Sequence, residues 1–176
     1  LKFLSDDEIS KIVESVGLND NDVVFFMADE FDIACNSLGA VRCELGKLLG
    51  LINPKEFALL WVTDFPMFEK NDDGTLQACH HPFTSPLIDD ISDLQTKPME
   101  LKSISYDVVL NGYEIGGGSV RIHDPKLQKA LFDALGISDE DVEMRFGHML
   151  DAFSYGVPPH AGIAWGLDRL VMILAN

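Results

Sequence analysis

The sequence predicts an α+β fold with a largely antiparallel sheet. Three observations predict it. Asn111-Gly112 sits between runs rich in β-branched residues, which is a strong two-residue hairpin signal. Phe57 to Thr63 is apolar at both parities, as a central strand buried on two faces would be. The segments of helical period fall between and after the strands and do not alternate with them regularly.

The elements follow in order. Ser5-Asp6-Asp7-Glu8 is a capping box, with Ser5 as N-cap and Glu8 reaching back. Ile9, Ile12, Val13 and Val16 make one helical face, and Gly17 ends the helix. Val23 to Met27 reads as a short buried strand. A longer helix is expected from Phe31 to Leu49, with Ala34, Leu38, Val41, Leu45 and Leu48 at helical spacing, until Asn53-Pro54 breaks the pattern. The strand over residues 57–63 follows, and Asn71-Asp72-Asp73-Gly74 is a turn.

Residues 77–101 lack a period and contain Pro82, Pro86 and Pro98. A loop this long is usually functional or mobile. Residues 82–101 are expected to move more than the strands, with Phe83, Leu87 and Leu101 as their core residues. Beyond the hairpin, Asp124 caps a helix that has Pro125 at its first position. Leu127, Ala130, Leu131, Ala134 and Leu135 form its inner stripe, and Gly136 ends it. Ser138 caps the next helix, whose inner face carries Val142, Phe146, Met149, Leu150 and Phe153. Gly156 and Pro158-Pro159 stop it. Ala161 to Trp165 reads as a last strand, leading through Gly166 into a helix that starts near Leu167.

The chain has 176 residues, 47% of them hydrophobic, enough to bury one good core. No apolar run is long enough to span a bilayer, and no secretory leader is visible. The sequence opens on Leu1 and stops just after the apolar run 170–174, inside a helical pattern, so a piece of a longer protein is expected. Cys35, Cys43 and Cys79 show no paired spacing, which argues against a disulfide framework and for a reducing, cytoplasmic compartment. A net charge of −16 makes this stretch poorly suited to bind nucleic acid by itself.

The chemistry is expected around Gly116-Gly117-Gly118. Three glycines in a strand forfeit packing and backbone entropy, which suggests close approach by another molecule; a flexible hairpin is the alternative. With Asn111 and Gly112 as the turn, Val109 faces Glu114 and Asp107 faces Gly116, so Asp107 and Glu114 share one face. Two carboxylates on one face either meet a cation such as Mg²⁺ or are solvated acids on an outer surface. Arg121 falls on the opposite face unless one residue is absorbed as a bulge in the glycine run; then it can grip a carboxylate with two parallel hydrogen bonds.

His80 and His81 are adjacent. In extended chain they point to opposite sides, so only one is expected to face the site, where an imidazole can hydrogen-bond an anion. Gly166, Leu167, Asp168 and Arg169 open the last helix. Its start favours negative charge, so Arg169 there calls for an anionic partner such as phosphate, or forms a surface pair with Asp168.

These residues carry a family resemblance. Gly162 to Leu170, Gly-Ile-Ala-Trp-Gly-Leu-Asp-Arg-Leu, resembles motif 3 of the class II aminoacyl-tRNA synthetases. Phe65-Pro66-Met67-Phe68, His80 to Pro86 and Asn111 to Ile122 resemble the bacterial-type aspartyl branch of that family. The match runs from about residue 55 to the end. Residues 1–50 resemble the end of the insertion domain of bacterial members, and residues 51–176 the C-terminal part of the catalytic domain, with its antiparallel sheet and flanking helices.

The resemblance implies an aspartate–tRNA ligase that activates L-aspartate with ATP and Mg²⁺ and transfers it to tRNA. It implies that Arg121, His80, Ser119 and Gly118 bind L-aspartate, His81 being a weaker choice. Asp107 and Glu114 would hold Mg²⁺, and Glu114, Gly166, Leu167, Asp168 and Arg169 would bind ATP, with Arg169 on the γ-phosphate. No catalytic side chain is implied, because positioning and charge stabilisation do the chemistry. Motifs 1 and 2 and the anticodon-binding domain are not in these residues, so no aminoacylation is expected from this chain alone. The full-length parent is expected to be a cytoplasmic homodimer with no membrane partner. A non-catalytic module that keeps the ATP and amino-acid pocket is the competing reading. The related asparaginyl and lysyl branches fit less well, because a cationic Arg121 suits an acidic side chain.

Overall fold

The computed structural model describes residues 3–175. The chain divides into two compact units, Leu1–Glu56 and Phe57–Asn176.

In the first unit, helix α1 spans Asp6–Val16. The Ser5 N–H donates to Glu8 Oε2 at 2.8 Å, and the Glu8 N–H donates back to Ser5 Oγ at 3.4 Å. Gly17 closes the helix at φ 65°, a left-handed turn that glycine makes without strain. Helix α2 spans Phe31–Leu48 and buries none of its residues. The strand expected over Val23–Met27 does not form, and Val23, Phe25 and Phe26 are exposed. A strand is held by a ladder from a neighbour, and no described residue supplies one here.

The second unit carries the sheets. Strand β1 is Leu59–Val62, β2 Phe68–Lys70, β3 Leu76–Ala78 and β4 Pro86–Leu87. A one-turn helix α3 at Asp93–Thr96 and a 3₁₀ turn at Pro98–Glu100 lead to β5, Lys102–Ser103, and β6, Ser105–Leu110. Strand β7 is Tyr113–Val120, followed by α4, Pro125–Ala134, α5, Asp139–Ser154, β8, Ala161–Trp165, and α6, Leu167–Ala175. The main sheet has the order β1-β6-β7-β8 and is antiparallel throughout.

Two expectations are corrected here. Strand β1 is an edge strand, not a central one; it pairs only with β6, and all four of its residues are exposed. The Trp61 ring meets Tyr106 of β6 edge-on, with centroids 6.1 Å apart. The stretch 77–101 also holds more structure than its lack of period suggested. Leu94 is 1% exposed and packs with Met67, Phe68, Leu101, Ile122 and Leu131, whereas Leu87, expected inside, is 61% exposed. One turn of α3 places a single leucine in the core, too short a segment to show a period.

The inner stripe of α4 is as expected: Leu131 is fully buried, with Leu127, Ala130, Ala134 and Leu135 packed on the same cluster. Asp124 caps α4 through the Lys126 N–H at 2.8 Å, and Ser138 caps α5 through the Asp141 N–H at 3.2 Å. A smaller cluster of Val108, Leu110 and Ile115 packs against Leu170 and Ile173 of α6. It fixes the start of α6 beside β7, where the site lies.

Candidate functional site

The hairpin is built as its sequence dictates. Asn111 and Gly112 both take positive φ, 51° and 85°, the pair required of a two-residue turn whose twist matches the strands. Val109 stands opposite Glu114. Val108 then stands opposite Gly116 and Asp107 opposite Gly117, so Ile115 is the extra residue of a β-bulge. The sequence argument placed this bulge within Gly116–Gly118, but it lies one residue earlier. The parity consequence is the same. One absorbed residue between Glu114 and Arg121 lets Asp107, Glu114, Ser119 and Arg121 line one cavity of about 270 Å³.

The bulge is closed from the far side. The Gly166 N–H donates to the Ile115 carbonyl at 2.8 Å, and Arg169 Nη1 donates to the Glu114 carbonyl at 2.7 Å. Arg169 Nη1 also lies 3.5 Å from Glu114 Oε2. The partner of Arg169 in this structure is therefore Glu114 and not the neighbouring Asp168. Of the residues tied to ATP by resemblance, only Glu114 lines the cavity; Gly166, Leu167, Asp168 and Arg169 lie at its edge of the sheet, where α6 begins.

The three glycines make room for the protein's own groups, and Gly117 and Gly118 also line the cavity. A methyl group on Gly116 would meet Trp165 Cε3 at 2.8 Å, and one on Gly117 would run into the Asp107 carboxylate. One on Gly118 would strike the Gly162 carbonyl of β8. The space over Gly117 is thus where the two carboxylates converge, since Glu114 Oε1 is 3.4 Å from the same point.

Partial burial, and then the Glu114 charge, push the Asp107 carboxyl above its usual range, with His80 opposing. A cation between the two groups relieves both effects. No group of three or more His, Cys, Asp or Glu side chains forms a metal cage among the described residues. A hard cation that takes two carboxylates and completes its shell with phosphate oxygens and water fits this donor set.

Both histidines line the cavity, contrary to the alternation argument. The chain bends at Cys79-His80 and is not extended there, so the two-fold alternation of side chains lapses. His80 packs edge-on against Phe65 with ring centroids 4.6 Å apart. His81 accepts the Phe83 N–H on Nδ1 at 3.3 Å. Burial first, and the Arg121 charge second, hold His81 below the ordinary imidazole range, so it is a neutral ring with its proton on Nε2.

Arg121 is half-buried, its N–H donates to the His160 carbonyl at 3.0 Å, and its Nη1 is buried without a hydrogen-bond partner among the described residues. A guanidinium nitrogen left unpaired away from water is destabilising, and a carboxylate in the cavity would satisfy it.

One contributor was not singled out from sequence. Thr84, 1% exposed, places Oγ1 3.2 Å from Ser119 Oγ, and its backbone bridges to Arg121. It ties the histidine loop to β7. The only sequence signal was its place in the His80–Pro86 run.

A family model for tRNA synthetases class II (D, K and N) matches residues 7–176. The aspartate–tRNA ligase of Lysinibacillus sphaericus (strain C3-41) is 47% identical over 176 residues, covering 99% of this chain and 30% of that protein. The aspartate–tRNA ligase of Geobacillus kaustophilus (strain HTA426) is 50% identical over the same shares. The chain therefore spans about 30% of the length of these curated relatives. The solved aspartyl tRNA synthetase from Entamoeba histolytica aligns over 97% of this chain and 28% of its own, at 26% identity and a TM-score of 0.49.

Proposed function

The chain belongs to the class II tRNA synthetases of the D, K and N type, and we propose that it supplies the amino-acid side of the active site of an aspartate–tRNA ligase. The observation that carries this reading is the unpartnered Arg121 Nη1 in a cavity that also holds Ser119 and both histidines. Arg121 binds the side-chain carboxylate of L-aspartate. His80, with the backbone at Gly118 and Ser119, borders the same substrate, and the neutral Nε2–H of His81 is a second donor to it.

Asp107 and Glu114 would hold Mg²⁺, which supplies neutralisation of the ATP phosphates. Arg169 leaves Glu114 to take the γ-phosphate, with Gly166, Leu167 and Asp168 beside the nucleotide at the start of α6. The α-carboxylate of aspartate attacks the α-phosphorus of ATP, the bond to the β-phosphate bridging oxygen breaks, and pyrophosphate leaves. The aspartyl group then passes to the terminal ribose of tRNA, and AMP leaves. What this chain contributes is orientation of the carboxylates and compensation of charge. The full-length protein is proposed to be a cytoplasmic homodimer. No helix among the described residues is long and apolar enough to cross a membrane.

The experiment is ATP–pyrophosphate exchange with the full-length protein, offering aspartate, asparagine and lysine in turn. Exchange with aspartate alone is expected. Exchange driven by asparagine or lysine would overturn the substrate assignment, and ATP binding without exchange for any of the three would favour a non-catalytic module.

A further inference from the structure

A second cavity, of about 480 Å³, lies on the α5 side of Arg121. Phe83, Phe146, Met149 and Phe153 wall it, and its polar groups are Arg121 with His81, His148 and His160. No Asp or Glu is among its lining residues, in a chain with 29 acidic and 13 basic residues. The acids of the first cavity, Asp107 and Glu114, do not line it. The two cavities are separate in chemistry and meet at a shared wall of Arg121 and His81.

The donors on that wall are defined. The Phe83 N–H donates to His81 Nδ1, so the neutral ring presents Nε2–H. His160 Nδ1 lies 2.9 Å from the Pro158 carbonyl, which can only accept, so Nδ1 donates there and Nε2 is left for a ligand or water. Phe153 packs edge-on against His160, at 6.2 Å between centroids, and Phe146 against Phe83, at 5.0 Å. The result is an aromatic slot with cationic and hydrogen-bond-donating groups at one end.

We propose that this second cavity binds a small carboxylate with an aromatic body, its carboxylate on Arg121 and His81 and its ring against Phe146 and Phe153. A charged hydrogen bond to a guanidinium requires an anion. The aromatic walls select a flat apolar body and give the short dicarboxylate of the first cavity nothing to pack against. The two sites share Arg121 and His81, so an anion in the second cavity withdraws the guanidinium from the first and weakens binding there. That last consequence rests on the aspartate reading; the binding itself does not.

The probe is phenylacetate, with phenylacetamide as its neutral counterpart, each titrated calorimetrically into the intact protein. Phenylacetate is expected to bind about tenfold or more tighter than the amide, the ratio that one charge-assisted hydrogen bond gives. His148→Ala and His160→Gln alter side chains that are exposed and line only the second cavity. Both are expected to weaken phenylacetate severalfold and leave aspartate affinity unchanged. Equal binding of acid and amide, or no binding of either, overturns the proposal. So does loss of phenylacetate with Arg121→Ala when both histidine variants bind it normally, because the probe then sits in the first cavity. Should aspartate fail to bind while phenylacetate behaves as described, the functional reading fails and the second site stands.

Discussion

Gly118 and Gly162 meet backbone to backbone across β7 and β8. A methyl group on Gly118 would strike the Gly162 carbonyl oxygen and lie 2.8 Å from its carbon and 3.0 Å from Ile163 Cα. Main chain cannot swing aside as the end of a side chain can. Gly118→Ala is therefore expected to destabilise the sheet by about 3 kcal/mol, at the upper end of overpacking effects. Gly117→Ala differs, because its methyl group meets the Asp107 carboxylate, which can rotate away. It should leave the unfolding midpoint nearly unchanged and weaken Mn²⁺ binding, read by spin-probe titration. Equal thermal destabilisation by the two variants would contradict this division of roles.

Leu94 tests whether the segment before β5 belongs to the core. It is 1% exposed among Met67, Phe68 and Leu131. Leu94→Ala is expected to lower stability by about 2–5 kcal/mol, the range for a buried leucine, in urea unfolding. Leu87→Ala, at an exposed site, should change it little. A neutral Leu94→Ala would mean that the one-turn helix α3 is not anchored.

Arg121 should govern the amino acid and not the nucleotide. Arg121→Ala in the full-length protein leaves a substrate carboxylate without its partner, at roughly 3–5 kcal/mol. That amounts to about two to four decades in kcat/KM for aspartate. Pyrophosphate exchange with each substrate varied in turn separates the two dependencies. Equal losses for ATP and aspartate, or no loss for either, would remove Arg121 from the side-chain site.

Arg169 is expected to show the reverse pattern, with the ATP requirement rising first. The contact with Glu114 adds a second readout. Arg169 Nη1 holds the Glu114 carbonyl at 2.7 Å and stands 3.5 Å from its carboxylate. In Arg169→Gln the cation beside Glu114 is gone, so Mn²⁺ measured without nucleotide should bind more tightly than in the parent protein. Weaker metal binding would show that Arg169 serves to shape the carboxylate pair and not to occupy it.

His81 gives the site an acid limit. Its folded pKa lies below the ordinary value of 6.5, first through burial and then through Arg121. The fold therefore favours the neutral ring. The contribution of His81 to stability is fully present above pH 6.5 and is lost as pH falls through the lower folded value. His81→Gln should flatten that part of the stability–pH curve, followed by thermal melts from pH 7.5 downward. An unchanged curve would indicate that His81 is not withdrawn from solvent.

The sequence by itself determined what depends on a few consecutive residues. Ser5 with Glu8, Asp124 with Pro125, and Ser138 each fix a helix start, because a cap satisfies backbone donors within one turn. Asn111-Gly112 fixes the hairpin, and strand alternation places Asp107 and Glu114 on one side. The sequence also required a bulge if Arg121 was to join them. The tertiary structure alone put that bulge at Ile115, because the position that can absorb an extra residue is the one whose freed carbonyl finds another donor, here Gly166 from the far end of the chain. It also made β1 an edge, brought Leu94 inside, and filled the glycine positions with Trp165, Asp107 and Gly162. Exposure and close approach belong to pairs of segments distant in sequence, so no local pattern encodes them.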